Sequence, residues 1–130
     1  MRSDYSMNSP YKFPRQSRLL KAAQYKSVFA KPYKSADRYL TVLARVNTCN
    51  LARLGLAITK KRVKLAVDRN RIKRLIRESF RHSQSHLAGL DCIVLTKSRT
   101  VDADNRTLLH SLAKHWLYLS RQVNNRSKYG

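Results

Sequence analysis

Ten cations, Lys60, Lys61, Arg62, Lys64, Arg69, Arg71, Lys73, Arg74, Arg77 and Arg81, crowd into the stretch KKRVKLAVDRNRIKRLIRESFR, whose only acids are Asp68 and Glu78. Such a density of ammonium and guanidinium groups suits one task above others, the neutralisation of phosphates. A merely solvated helix face mixes signs, often with Glu four residues before Lys. Here the near-uniform sign costs stability through self-repulsion, and a polyanion relieves that cost. Groups for hydrolytic chemistry are sparse by comparison. The acids are Asp4, Asp37, Asp68, Glu78, Asp91, Asp102 and Asp104. Asp102 and Asp104 have a spacing that can chelate, but they stand where a last helix needs capping. His82 and His86 have the i,i+4 spacing of a helical zinc site, yet no glutamate lies between them and no cysteine pair completes a closed site. The glycines are Gly55, Gly89 and Gly130, too scattered for a phosphate-cradling loop. These residues describe a binder, with any reaction belonging to its partner.

The elements that position the cations follow from periodicity. At about 100° per residue, Ile72, Leu75, Ile76, Ser79 and Phe80 share one side of a helix expected over about 66–82. Arg69, Asn70, Lys73, Arg74, Arg77 and Arg81 share another, and Arg71 projects apart from both. One side can bury in a core while the other presents cations in rows. Asp68 is the expected N-cap.

Around this helix the chain reads as follows. Residues 1–16, broken by Pro10 and Pro14, are expected to form a flexible basic arm. In it Tyr11 and Phe13 lie beside Lys12 and Arg15, a combination that stacks on bases and pairs with phosphates; packing of Phe13 on the domain edge is the alternative. A helix is expected from Ser17 to Lys31, ended by Pro32, with Leu19, Ala22, Ala23, Lys26, Val28, Phe29 and Ala30 as a rough apolar stripe. Tyr25 and Phe29 stand four apart on one side of it, as core residues or as a binding surface. Residues 38–48 and 52–59 read as two strands of an antiparallel hairpin, and 91–97 as a short buried strand. A last helix is expected over 102–122, on the apolar side formed by Leu108, Leu109, Leu112, Ala113, Trp116, Leu117 and Leu119, with 123–130 as a polar tail. One domain over 17–122 results, an α+β two-layer sandwich.

With 28 basic and 7 acidic residues in 130, the formal net charge is +21 and the pI about 10.9, spread along the chain. Nucleic acid is the expected partner of such a balance. No long uncharged apolar run suggests a membrane span. The N-terminal residues lack a secretory apolar core. Cys49 and Cys92, far apart, read as reduced thiols in a cytoplasmic protein rather than a disulfide.

The run Arg69-Asn70-Arg71-Ile72-Lys73-Arg74-Leu75-Ile76-Arg77-Glu78-Ser79-Phe80-Arg81 closely resembles the signature of the family of bacterial ribonuclease P protein subunits, and Lys60-Lys61-Arg62-Val63 resembles its lead-in. Phe13-Pro14, Arg18-Leu19, Tyr25, Val28, Phe29 and Leu54-Gly55-Leu56 extend the resemblance over about residues 13–122. Leu43 departs from it, standing at a strand position that is aromatic in some members, and Lys64-Leu65 replaces a glycine-containing pair. The resemblance implies a ferredoxin-like fold of order α-β-β-(β)-α-β-α with a left-handed β-α-β crossover around the basic helix. It implies a catalytic RNA subunit as partner, precursor tRNA as substrate, and magnesium ions required by the RNA while the protein itself binds no cofactor. Lys61, Arg62, Arg69, Asn70, Arg71, Lys73, Arg74 and Arg77 would contact the RNA subunit. Phe13, Arg18, Tyr25 and Phe29 would bind the single-stranded 5′ leader. No membrane and no obligate protein partner are expected. Composition alone leaves a structural RNA-binding protein, such as a ribosomal protein, as the alternative.

Overall fold

The run LDCIVLT is apolar on both of its faces, so it is driven to the one place in a sheet where both faces are covered. In the computed structural model, which describes residues 17–19 and 21–129 (backbone only for 125–129), that place is the sheet interior. The elements in order are α1 (Ala22–Ala30), β1 (Tyr33–Ala36), β2 (Leu40–Val46), β3 (Arg53–Ala57), α2 (Ala66–His82), β4 (Leu90–Thr96) and α3 (Asn105–Tyr129). The sheet order is β1-β2-β4-β3. β4 runs antiparallel to β2 and parallel to β3, so β3–α2–β4 is a crossover unit around the basic helix. The fold is the expected α+β sandwich of the ferredoxin-like kind.

The expected hairpin between the two strands before α2 does not form. Their directions are those of a hairpin, but β4 inserts between them, because its two-sided apolar surface outcompetes the more polar pairing. The hairpin instead joins β1 to β2, Tyr33 opposite Ala44. β1, YKSA, is half-buried at an edge and has too little apolar content to announce itself. The β2–β3 connection is pinned to β4: Asn47 Nδ2 donates to Asp91 Oδ1 and to the Leu51 carbonyl, each at 2.8 Å, and Arg53 forks onto both Asp91 oxygens at 2.7 and 2.8 Å. Cys49 and Cys92 are both free; burial raises the Cys92 thiol well above its usual range.

One sheet face, with Leu40, Val42, Ala44, Cys92 and Val94, packs under α2 and α3. α2 delivers Ile72, Ile76 and Phe80 to this core, as its periodicity demands, and Leu75 only partly. α3 delivers Leu108, Leu112, Trp116 and Leu119, and Phe80 meets Trp116 edge-on at 5.7 Å. The Trp116 indole N–H is satisfied by Ser79 Oγ at 2.8 Å. α3 does not end near residue 122: it continues to Tyr129, and Val123 is buried one turn past Leu119, so the expected polar tail begins as helix. Asp104 is the cap of α3, accepting from the Thr107 N–H at 2.8 Å.

The other face is covered thinly. There Leu19, Val28, Leu43 and Ile93 form a small cluster beneath α1. The helix starts at Ala22 instead of Ser17, so Leu19 belongs to an extended lead-in whose N–H donates to the Leu54 carbonyl at 3.0 Å. Ala22, Ala23, Phe29 and Ala30 are exposed, contrary to the expected stripe; in α1 only Val28 is fully buried.

The β1–β2 turn is tied to α3 by Asp37. Its Oδ1 accepts from the N–H groups of Tyr39 and Leu40, its Oδ2 accepts from Ser111 Oγ, and that oxygen lies 3.2 Å from His115 Nε2. Ser35 Oγ meets His115 Nδ1 at 2.6 Å. Burial lowers the His115 pKa, the Asp37 carboxylate opposing it, while Lys114 and Lys97 add to the lowering. For Asp37, burial raises the pKa but the bonds from Ser111, Leu40 and Tyr39 outweigh it, so the net shift is down. Both shifts act in one direction. A lowered His115 contributes stability that is complete above the unfolded value of 6.5 and is lost as pH falls through it, and Asp37 follows below 3.8. We expect the urea midpoint to fall between pH 7 and about pH 5, with His115→Asn flattening that limb; an identical slope in the variant would show that the loss arises elsewhere.

Candidate nucleic-acid interface

The loop ahead of α2 is anchored by Val63, fully buried, which leaves Lys61 and Arg62 exposed on either side of the chain's path. Arg62 Nη1 donates to Ser98 Oγ at 3.1 Å. The residue at the N-cap is Leu65, without a side-chain cap bond; Asp68 sits inside the first turn, where its charge complements the helix N-terminus but does not cap it.

The eight cationic and polar residues expected to act together divide into three groups. Arg69 folds back to donate from Nη1 to the Val63 and Lys64 carbonyls, each at 2.9 Å, and so fastens the loop. Arg71, set apart by its angle as expected, reaches α3: it donates to Asn105 Oδ1 at 2.7 Å and to the Ala103 carbonyl at 3.3 Å. Asn70 and Arg74 are exposed with Lys61 and Arg62 and form the outward surface. Lys73 and Arg77 are half-buried and turn toward the free edge of β3. Arg81 does not join the outward rows; it is buried at the end of α2 on Glu78, where the chain folds back through the turn Gln84–His86. Glu78 also holds His82 at 3.2 Å, so this acid is engaged at the helix end.

At the β3 edge, Lys73 and Arg77 line a groove of about 280 Å³ together with Arg18, Leu19, Tyr25, Leu54, Leu56 and Ile58. Arg18 reaches it because the lead-in bridges Leu54 in parallel. Tyr25 lies across Gly55 so closely that a Cβ there would stand 2.8 Å from the ring. Glycine is therefore required at 55 for this approach. Phe29, one turn beyond Tyr25, is exposed but outside the groove. Phe13 and the arm over 1–16 lie outside the described residues. Leu43, the departure noted above, is buried beneath α1. Ile58 was not anticipated in the groove, and Leu54 and Leu56 were singled out only as part of the resemblance, on either side of a glycine inside an apolar strand. Among the described residues no three of His, Cys, Asp or Glu converge on a point, and no helix is long and apolar enough to cross a membrane.

A row of exposed cations beside a groove that combines an aromatic ring with further cations, both carried on an α+β sheet, defines an RNA-binding domain. A family profile for ribonuclease P matches residues 13–120. The ribonuclease P protein component of Methylococcus capsulatus is 44% identical over 117 residues, covering 90% of this chain and 91% of that protein. That of Stutzerimonas stutzeri is 49% identical over 110 residues, 84% of each. The solved RNase P protein of Staphylococcus aureus superposes with a TM-score of 0.71 at 32% identity, covering 80% of this chain and 94% of that one. That of Thermotoga maritima gives 0.68 at 27% identity, with 80% and 96% covered. The chain belongs to the ribonuclease P protein family. This decides against the structural RNA-binding protein that composition had left open.

The division of the cations is testable. Arg69→Ala removes two charge-assisted bonds and is expected to cost about 1.5–3 kcal/mol of fold stability. Lys61→Ala, in the exposed loop, is expected to stay within about 0.5 kcal/mol. Equal melting temperatures for the two variants would place Arg69 with the outward surface.

Proposed function

We propose that this chain is the accessory protein subunit of the ribonuclease P holoenzyme, gripping the catalytic RNA with the outward surface of α2 and its lead-in loop, and holding the single-stranded 5′ leader of precursor tRNA in the groove at the β3 edge. The observation that carries the reading is the convergence of Tyr25, Arg18, Lys73 and Arg77 on one groove. Stacking on Tyr25 is tolerant of base identity, because every base has a π-face, and the three cations serve the leader phosphates. Lys61, Arg62, Asn70 and Arg74 meet the folded RNA through phosphates and 2′-hydroxyls. Arg69 and Arg71 act there by holding the loop and helix in place. This assignment moves Lys73 and Arg77 from the RNA-subunit set to the leader set, and leaves Phe29 as an exposed neighbour.

Cleavage of the leader belongs to the RNA subunit and its magnesium ions; the residues described here offer no set of ligands for a metal, and their work is to bind and orient. The same reading puts the holoenzyme in the cytoplasm with precursor tRNA, and requires no other protein.

Two outcomes follow. Tyr25→Ala in the reconstituted holoenzyme is expected to weaken binding of precursor tRNA with a leader of several nucleotides by about 1–3 kcal/mol, and to leave mature tRNA binding unchanged. Thermal melting separates this from loss of fold; a folded variant with undiminished leader-dependent affinity would return Tyr25 to the scaffold. The protein stripped of RNA is expected to leave precursor tRNA uncut in magnesium, and specific cleavage at the mature 5′ end would refute the accessory role.

A further inference from the structure

The edge of the sheet opposite the leader groove is open too. β1 is the last strand there, and α3 runs beside it. Between them lies a second groove, of about 330 Å³, lined by Lys34, Ser35, Asp37, Lys114, His115 and Tyr118 among others. Lys34, Lys114 and Tyr118 are exposed. His110, Lys114, Tyr118 and Arg121, all exposed, continue in one stripe along α3 at helical spacing. Asp37, the carboxylate in the groove, is already engaged by two backbone N–H groups and Ser111, with His115 beside it. Its lone pairs are occupied, and among the described residues no carboxylate pairs with either lysine.

We propose that this groove is a second single-stranded RNA site, in which a base stacks on Tyr118 and the flanking phosphates pair with Lys34 and Lys114. Its make-up parallels that of the first groove: a tyrosine and flanking cations at an open strand edge. Its volume lies at the low end of small-ligand sites, about 300–1,000 Å³, which suits one nucleotide and not a duplex. The lining lacks the deep apolar anchor pocket that a protein partner would use. Three strand spacings of about 4.8 Å put roughly 14 Å of sheet between the two edges, so one nucleotide cannot fill both grooves and two RNA segments are engaged. The proposal goes beyond the reading above and rests on it only for the choice of natural RNA.

The test uses the full chain and two probes: the ribonuclease P RNA and a labelled oligouridylate about a dozen nucleotides long. Binding is followed by anisotropy against salt. For Lys34→Ala/Lys114→Ala the log–log slope is expected to fall in magnitude by about 1.4 on the oligouridylate, two contacts at roughly 0.7 each. Tyr118→Ala is expected to weaken binding several-fold with the slope unchanged. Arg77→Ala, on the far edge, should add its own effect to that of the double variant without coupling, as distant sites do. Melting curves confirm that each variant is folded. A slope unchanged on both probes overturns the proposal, as does its preservation alongside capture of an acidic protein at this face. If the ribonuclease P RNA fails to bind even the unaltered chain while the oligouridylate slope falls as expected, the holoenzyme reading fails and the second site stands.

Discussion

The burial of β4 on both faces is the constraint from which the rest of the architecture follows. A strand with Cys92, Ile93 and Val94 fully buried has to take an interior place. Once there, it separates β2 from β3, and β3 becomes an edge. α2, as the link between β3 and β4, then crosses the sheet with its apolar side in the core it shares with α3. Lys73 and Arg77 come to rest beside that edge as a result. The groove at the β3 edge is thus a consequence of where the most apolar strand in the chain had to go.

Net charge imposes a second condition. A chain at +21 folds against its own repulsion, and among the described residues four of its carboxylates make structural ties. Asp37 joins the β1–β2 turn to α3, Asp91 clamps Arg53 and Asn47, Glu78 holds Arg81 and His82, and Asp104 caps α3. None of these acids stands on the outward rows of α2.

What was legible in the sequence tracks how much apolar surface each element buries. α2, α3 and β4 have strong periodic or continuous apolar patterns, and their places were readable. β1 buries little and went unread, and the strand pairing was misjudged because local sequence shows direction but not which strand intervenes. The end of α3 looked polar because Val123 alone marks its core side. At the site, the cation row was plain from angular spacing. Its division was not: Arg69 folds back onto carbonyls of the loop just before the helix, Arg71 finds amide and carbonyl acceptors in a distant segment, and no spacing rule reveals either. Tyr25 and Phe29 share a helix side, and only the lead-in strand at Arg18 and the seat at Gly55 separate their surroundings.

The thin attachment of α1 has a consequence for the groove that its Tyr25 lines. One fully buried side chain, Val28, contributes about 1.5–3 kcal/mol, far less than the several large residues that fix α2. Ordering the backbone of each residue costs about 1–2 kcal/mol against that. α1 is therefore held by less buried apolar surface than α2. A groove with one firmly packed wall and one lightly packed wall would widen for a large ring system and close on a small one, so its tolerance of different occupants would be set by the seating of α1 as much as by the ring of Tyr25.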